Sequence, residues 1–189
     1  DLTSGGVFSQ LTNKNYRFSS PIFLGFLASA WISEEEASKW VLSIADATPW
    51  AAQSQLIHYA AARGNLDGWI NQQLEENESP LYLNLLHISR WLRDAPPKST
   101  WRNNAMRKLA SLESDETLPL VIRARFTAAL HLSGDPSTDK LFEQLLAKKS
   151  PTIKRLALLG CGASGNPQHI SSLLSLLADD CPEIRFTAC

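Results

Sequence analysis

The sequence predicts an all-α fold, an α-solenoid in which antiparallel helix pairs are stacked along the chain. The first reason is a repeat of 31 residues in the C-terminal third, because periods of roughly 20 to 50 residues are typical of stacked structural units. The second is that Pro and Gly-Asx recur where helices are expected to begin and turn. The matching segments are Ile122-Arg123, Ile153-Lys154 and Ile184-Arg185, Gly134-Asp135-Pro136 and Gly165-Asn166-Pro167, and Leu145-Leu146-Ala147 and Leu176-Leu177-Ala178.

Composition places the chain among ordinary globular proteins and argues against several classes of function. The 189 residues are 44% hydrophobic and 20% charged, and 18 Lys and Arg against 19 Asp and Glu give a formal net charge of −1. No global positive field therefore attracts nucleic acid or anionic lipid. The longest apolar stretch, residues 22–32, is shorter than the roughly 20 residues that cross a bilayer. Three cysteines without CxxC spacing argue against a disulfide framework and favour a reducing, cytoplasmic compartment.

Residues 1–45 are expected to form a separate N-terminal piece. Two short alternating runs around the Asn-rich segment 12–15 predict a β-hairpin. Ser20-Pro21 then supplies a cap and a first-turn proline for a helix that we expect to be buried. Its apolar face consists of Phe23, Leu24, Phe26, Leu27, Ala30 and Trp31. Ser33 and Glu36 form a capping-box pattern for a second helix, which carries Ala37, Trp40, Val41 and Ile44.

Residues 46–189 are expected to form helix pairs separated by Pro and Gly. Pro49 and Pro80 are 31 residues apart, so the period extends towards the N-terminus, although less completely than in the C-terminal third. The first helices are predicted from Thr48-Pro49 to about Arg63, from Asp67 to Glu76, from Ser79-Pro80 to Pro96 and from Ser99 or Thr100 to Leu112. The predicted units are 46–79, 80–118, 119–150, 151–181 and a truncated 182–189. The missing initiator Met and this truncation predict that the sequence belongs to a longer protein.

No motif in the sequence predicts catalysis, a cofactor or a metal site. The glycines at 160–165 lack the strand-loop-helix context that binds phosphate, and the four histidines lack the spacing of metal ligands. Cys161 is expected near a helix C-terminus, where the helix dipole raises the pKa of a thiol. We therefore expect a non-enzymatic protein with no catalytic, cofactor-binding or metal-binding residues.

The repeated units resemble the HEAT repeat family, most closely its short form, the phycobilisome-lyase type. The residues that carry the resemblance are Pro151, Ile153, Lys154, Leu159, Gly165, Asn166, Leu173, Leu174 and Leu177, with counterparts Ile122, Arg123, Ala128, Gly134, Asp135, Leu145 and Leu146. The resemblance is close over 119–189 and is limited over 46–118 to Pro and Gly-Asn punctuation. It implies a right-handed solenoid whose concave face is formed by the second helices.

The same resemblance implies a structural ladder between neighbouring units. In this family an Asx residue in the turn pairs with a basic residue in the first helix of an adjacent unit. The expected pairs are Asp135 with Lys154 and Asn166 with Arg185, and Arg123 is the equivalent basic residue in the preceding unit.

Residues 16–29 resemble the segment that ends the winged-helix portion of NACHT and other STAND NTPases. There a hairpin leads into a helix with the pattern Phe-x-His-x-x-Phe-x-Glu-aromatic-Leu-Ala-Ala. The chain departs from it, with Ser20 or Pro21 in place of the His and Gly25 in place of the Glu. The resemblance implies the hinge and the start of the sensor arm of a switch protein.

Six tryptophans occur in the first 101 residues, and most are expected to fill the core of irregular units. Trp69 and Trp101 are the exceptions, since they open predicted second helices. Trp101 is followed by Arg102, Arg107 and Lys108, and aromatic residues with Arg are typical interface anchors. These five residues are the predicted partner-binding site, although a solvated helix face is the more common explanation of such charges.

The leading hypothesis is a scaffold or sensor arm, part of a STAND-like regulator, that binds a protein or peptide on its concave face. One alternative is a HEAT-like DNA-binding or DNA-repair protein, against which the near-neutral charge argues. Another, suggested only by the short repeat type, is a bilin lyase or chaperone-like enzyme. The identity of the partner, the oligomeric state and the face that binds are not predicted by the sequence.

Overall fold

The computed structural model describes residues 5–11, 15–40, 52–76 and 78–189, and these are mostly helical. The all-α prediction is confirmed at this level, with one small two-stranded sheet. The helices are α1 Pro21–Ala28, α2 Glu34–Trp40, α3 Ala52–Arg63, α4 Asp67–Glu75, α5 Leu83–Ser89, α6 Thr100–Ser114, α7 Leu120–Leu132, α8 Ser137–Leu146, α9 Pro151–Ser164, α10 Ile170–Leu176 and α11 Pro182–Ala188, with a 3-10 helix at Pro167–His169. None of the helices in these ranges is long and apolar enough to span a bilayer.

The N-terminal hairpin is present as predicted. Strand β1, Phe8–Gln10, pairs antiparallel with β2, Tyr16–Phe18, so that Phe8 lies opposite Phe18. The two rings are 4.7 Å apart between centroids. Cross-strand aromatic pairs of this kind stabilise a hairpin whose strands are only three residues long.

Helix α1 is more exposed than its apolar sequence predicts. Ser20 Oγ accepts a hydrogen bond from the Ile22 N–H at 3.3 Å, which confirms the predicted cap. The apolar side chains of α1 are nevertheless about half exposed, and Trp31, which follows the helix, is 86% exposed. Contact with α3 is made instead along the buried Gly25, where an added Cβ would lie 3.1 Å from Gln55 Cβ. The prediction that this helix is buried is therefore wrong, because a close approach at glycine buries a narrow stripe and leaves the broad apolar face open.

Helix boundaries follow local capping signals. Glu36 Oε2 accepts from the Ser33 N–H at 3.0 Å and Ser33 Oγ accepts from the Glu36 N–H at 3.3 Å, which confirms the capping box. Pro151 and Pro182 occupy the first turn of α9 and α11. Gly165 ends α9 with a φ of 62°, a left-handed conformation that favours glycine. The predicted helix features at Val41, Ile44, Thr48, Pro49 and Trp50 lie outside the described residues.

Helix α5 is much shorter than the helix predicted between Pro80 and Pro96. Tyr82, just before its first residue, has a φ of 55°, so the helical backbone cannot run through from Pro80. The Leu83 N–H is bonded to Ser79 Oγ at 3.2 Å. Beyond Ser89 the chain continues as turns, and a continuous helix is therefore absent from this unit.

The helices contact one another in two alternating series. Among the odd-numbered helices, α1 packs on α3, α5 on α7, α7 on α9 and α9 on α11, whereas α2 packs on α4 and α4 on α6. The series are joined by contacts of α6 with α7 and α8 with α9, which cross the predicted unit boundaries at 118/119 and 150/151. The division into units and the separate N-terminal piece stay predictions.

One cluster of buried apolar residues runs from Ile32 to Ile184 and links the two series. Its largest fully buried aromatic side chains are Trp101, Phe126 and Phe142. The core therefore extends along the chain, and each helix pair contributes side chains to its neighbours' packing.

Candidate partner-binding face

Trp69 and Trp101 are core residues rather than surface anchors. Trp69 is 4% exposed and Trp101 is 0% exposed. Trp101 lies on the same apolar stripe of α6 as Ala105 and Leu109, which are both buried. Its indole therefore faces the core. We therefore correct the prediction for these two residues, since their side chains offer a partner no surface.

Arg102 and Lys108 are held in contacts between elements. Arg102 donates to the main-chain oxygens of Leu92 and, at 3.1 Å, Ala95, and its Nη2 lies 3.0 Å from Asp135 Oδ2. Lys108 Nζ donates to the Leu74 oxygen at 2.6 Å and lies 3.3 Å from Glu78 Oε1. Arg102 thus stabilises the turns after α5 and before α8, and Lys108 stabilises the end of α4.

Arg107 is the exposed member of the predicted five, and it lies between two grooves. The α4–α6 groove, about 350 Å³, is lined by Asn71, Leu74, Glu75, Asn104, Arg107 and Lys108. The α6–α8 groove, about 310 Å³, is lined by Met106, Arg107, Ala110, Ser137, Lys140, Leu141 and Gln144. We name this surface the even-helix face, defined by Asn71, Asn104, Arg107, Ser137, Lys140 and Gln144.

A chain of side-chain hydrogen bonds orders the α4–α6 part of this face. Asn71 Nδ2 donates to Thr100 Oγ1 at 2.8 Å, and Asn104 Nδ2 donates to Asn71 Oδ1 at 2.7 Å. Arg107 Nη2 then donates to Asn104 Oδ1 at 2.6 Å. The guanidinium is thereby positioned with donors to spare, since it carries five N–H groups.

The structural ladder exists, but its pairs differ from those predicted. Asp135 is bonded to Arg102 rather than Lys154, and Lys154 Nζ lies 2.9 Å from Asp179 Oδ2. Asn166 Nδ2 donates to Asp139 Oδ2 at 2.8 Å. The expected pairs are wrong because Asp135 and Asn166 bond to the unit before them, whereas Lys154 bonds to Asp179 within its own unit.

The two remaining ladder residues bond to the main chain. Arg185 Nη1 donates to the oxygens of Asp179 and Asp180 at 2.8 and 3.0 Å. Arg123 Nε donates to the Glu113 oxygen at 2.7 Å. Arg185 therefore fixes the turn before α11, and Arg123 fixes the C-terminal end of α6.

Carboxylates also bridge the first turns of successive even-numbered helices, which the sequence analysis missed. Glu34 Oε1 accepts from the Gly68 N–H at 2.6 Å, and Asp67 Oδ2 accepts from the Thr100 N–H at 2.9 Å. A carboxylate at a helix N-terminus satisfies a free N–H group and the helix dipole. The residue pairs are 34 and 33 apart, a spacing that could have revealed them.

Glu113 and Arg123 are buried polar residues between α6 and α7, joined by the hydrogen bond from Arg123 Nε to the Glu113 main-chain oxygen. Glu113 is 0% exposed and Arg123 is 2% exposed. Burial raises the pKa of the Glu113 carboxyl, and the Ser114 hydrogen bond and the Arg123 charge act in the opposite direction. With almost no exposed surface, the two residues have a structural role in packing α6 on α7.

A second polar cluster surrounds His169. Its Nε2 lies 3.2 Å from Asp139 Oδ1 and its Nδ1 lies 3.3 Å from Glu143 Oε1. Burial, followed by the charges of Asp139 and Glu143, raises the pKa of the nearby Cys161 thiol to about 11. The thiol is therefore protonated at neutral pH and a poor nucleophile, for a different reason than the helix dipole invoked from the sequence. Within the described ranges no group of three or more His, Cys, Asp and Glu side chains is arranged to hold a metal ion.

Lys140 and Gln144, both exposed, were also missed. The signal for Lys140 is a spacing of 33 rather than 31 residues, which relates it to Arg107 and also relates Asn71 to Asn104. An exposed position repeated at the unit spacing indicates one shared face.

No protein-family model, curated protein or solved structure matches the chain. Its function is therefore inferred from its own residues and their geometry.

Proposed function

We propose that the chain is a non-enzymatic scaffold or sensor arm that binds an acidic protein or peptide segment on the even-helix face. The observation that carries the proposal is the α6–α8 groove, in which Arg107 and Lys140 are exposed at equivalent positions of neighbouring helices. Among the described residues that line this groove there is no carboxylate. Glu75 shares the α4–α6 groove with Arg107, but in the α6–α8 groove the two adjacent cations attract an anionic partner.

The amides beside these cations suit a polypeptide partner. Gln144 lines the α6–α8 groove and Asn104 lines the α4–α6 groove. A side-chain amide donates and accepts hydrogen bonds, as does a peptide backbone. A partner with exposed main chain and acidic side chains would therefore find complementary groups along this face.

The right-handed solenoid is part of the proposal. Contacts that skip one helix, such as α7 with α9 and α4 with α6, are those expected when helix pairs are stacked. A stack of this kind would place the second helices side by side on the even-helix face. Its curvature and handedness are inferred from the resemblance to HEAT repeats.

Membership of a STAND-like regulator is also proposed, and it rests on the resemblance of residues 16–29. A nucleotide-binding motif upstream of Asp1 in the full polypeptide would support it. A full-length sequence without such a motif would remove this part of the proposal and leave the binding face unaffected.

The binding proposal is tested by fluorescence anisotropy with a labelled peptide of alternating Glu and Gly. The wild-type chain should bind this peptide, and affinity should fall as salt is added because exposed charges are screened. The double variant Arg107→Glu, Lys140→Glu should lose at least about tenfold in affinity, since two attractive contacts become repulsive.

The matched control is Lys148→Glu, Lys149→Glu, which makes the same charge change at exposed residues beyond the end of α8. It should bind like the wild type. A peptide of alternating Gln and Gly tests whether charge is needed. An equal loss of affinity in both double variants, or no binding by the wild type, would contradict the proposal. Tight, salt-sensitive binding of a DNA duplex would favour the DNA-binding alternative.

A further inference from the structure

The two cations of the α6–α8 groove keep hydrogen-bond donors available for an anion. Arg107 donates through Nε to the Asn103 oxygen at 3.3 Å and through Nη2 to Asn104 Oδ1 at 2.6 Å. Described residues thus occupy two of its five guanidinium N–H groups, and three remain. Lys140 is exposed and makes no ion pair with any residue that the structure describes. Both side chains line the same groove, so one ligand can contact both.

The carboxylates of α8 are directed away from this groove. Asp139 Oδ1 lies 3.2 Å from His169 Nε2, and Glu143 Oε1 lies 3.3 Å from His169 Nδ1. Asp135, just before α8, is already paired with a cation of α6. Lys140 is the charged residue that α8 presents to the groove. The positive charge of the groove is therefore not cancelled by its own helix.

A phosphate group suits two cations in one groove better than a carboxylate does. A carboxylate carries one negative charge and two acceptor oxygens. A phosphate monoester carries a charge of about −1.5 to −2 at neutral pH and three acceptor oxygens. One phosphate can therefore neutralise both Arg107 and Lys140, whereas one carboxylate cannot.

The apolar part of the groove indicates a peptide as the source of the phosphate. Met106, Ala110 and Leu141 line the groove, and all three are half-buried. In an extended peptide, residues two apart lie on the same side, about 7 Å from each other. A phosphorylated residue at the cations can therefore place a nearby apolar side chain on this surface. Free phosphate and a phosphorylated lipid headgroup have no such side chain.

We propose that the α6–α8 groove recognises a phosphorylated serine or threonine in a partner polypeptide, with an apolar residue two positions away. This inference rests on the proposed function, since it names the anionic group that the even-helix face binds. The phosphate oxygens accept from the guanidinium of Arg107 and the ammonium of Lys140, and the apolar side chain contacts Met106 and Leu141. Charge-assisted hydrogen bonds of this kind are stronger than neutral ones, so removal of the phosphate should remove most of the affinity.

Fluorescence anisotropy with a labelled heptapeptide tests the inference. The probe has a central phosphoserine, Leu two residues away on either side and Gly elsewhere. It should bind at least about tenfold more tightly than the same peptide with Glu at the centre, and the peptide with unmodified Ser should bind more weakly still. Replacement of both Leu residues by Gly should also weaken binding, because the apolar contact is lost.

Substitutions in the groove show where the phosphopeptide binds. Arg107→Gln and Lys140→Gln should each lower the affinity for the phosphoserine peptide at least about tenfold. The matched control is Lys148→Gln, Lys149→Gln, which removes two positive charges at exposed positions beyond the end of α8 and should bind like the wild type. Phosphatidylcholine vesicles that contain a phosphoinositide test a lipid source of phosphate, and the wild type should not bind them.

The outcomes separate this inference from the proposal on which it rests. Equal affinity for the phosphoserine and Glu peptides would overturn the preference for phosphate and leave the acidic-partner proposal standing. Unchanged affinity in both groove variants, in the peptide without Leu, or tighter binding to the vesicles than to the phosphopeptide would each overturn the groove as a phosphopeptide site. No binding of any charged peptide, including the peptide of alternating Glu and Gly, would contradict both proposals.

Discussion

Asp135 connects a turn to the preceding even-numbered helix at the scale of single residues. Its Oδ1 accepts from the Ser137 N–H at 3.0 Å and from Ser137 Oγ at 2.7 Å. Its Oδ2 accepts from Arg102 Nη2 at 3.0 Å. The backbone hydrogen bond from Ser137 is the main cause that lowers the pKa of the Asp135 carboxyl, and Arg102 adds to it.

This lowered pKa predicts a pH-dependent contribution to folding. A carboxyl whose pKa is lower in the folded chain stabilises it above the unfolded pKa, near 4, and this stabilisation is lost as the pH falls through the folded pKa. Asp135→Asn should therefore lower the free energy of unfolding by about 1 kcal/mol at neutral pH and weaken the acid dependence. Urea unfolding at several pH values measures both effects.

The control for this prediction is Asp180→Asn, at an exposed position in the turn before α11. It should show the acid dependence of the wild type. If Asp135→Asn lost stability with acid as steeply as the wild type, the hydrogen bonds to its carboxylate would not have the role described.

Sequence predicts such residues well only when their partners are local. The Ser33–Glu36 capping box and the Gly165 turn are fixed by residues within one helical turn, and both are present. The partner of Asp135 is Arg102, 33 residues away. That pairing depends on how neighbouring units are aligned, and local capping rules carry no information about this alignment.

At the scale of elements, α8 and α9 approach each other closely at Gly160. A Cβ added there would lie 2.6 Å from the ring of Phe142, which is 0% exposed. The ring is surrounded by core and has no free space into which it can move. The absence of a side chain at Gly160 is thus what permits this contact.

Gly160→Ala should accordingly destabilise the protein. Alanine favours a helix over glycine by about 1 kcal/mol, but overpacking the Phe142 ring should cost about 1–3 kcal/mol. Gly162→Ala is the matched control in the same helix, because a Cβ there has no neighbour within 4 Å, and it should raise stability. Thermal unfolding measures both, and the account of this contact fails if Gly160→Ala is as stable as Gly162→Ala.

Helix positions were largely predictable because Pro and Gly mark their ends. The degree to which a helix is buried was not predictable, as α1 shows. Its apolar residues predict a buried helix, yet Leu24, Phe26 and Leu27 are 44%, 47% and 48% exposed because the contact with α3 runs along Gly25. An apolar pattern shows which face of a helix can be buried, whereas the fit between two helices decides which face is buried.

For the whole molecule, the two series of helices carry surfaces of opposite chemistry. The even-helix face has Arg107 and Lys140 beside amides, whereas the odd-numbered helices carry an apolar groove between α7 and α9, with Leu132 and Leu159 among its lining residues. The sequence predicted a partner-binding surface, but that prediction included Trp69 and Trp101, which are buried in the core.

The most direct test of the central proposal, that an acidic partner binds the even-helix face, is chemical-shift mapping by NMR with the Glu-Gly peptide. The largest shifts should occur at Asn104, Arg107, Lys140 and Gln144, on α6 and α8. Residues of the α7–α9 groove should change little. Shifts concentrated on α7 and α9, or none at a peptide concentration that saturates the anisotropy signal, would contradict the proposal.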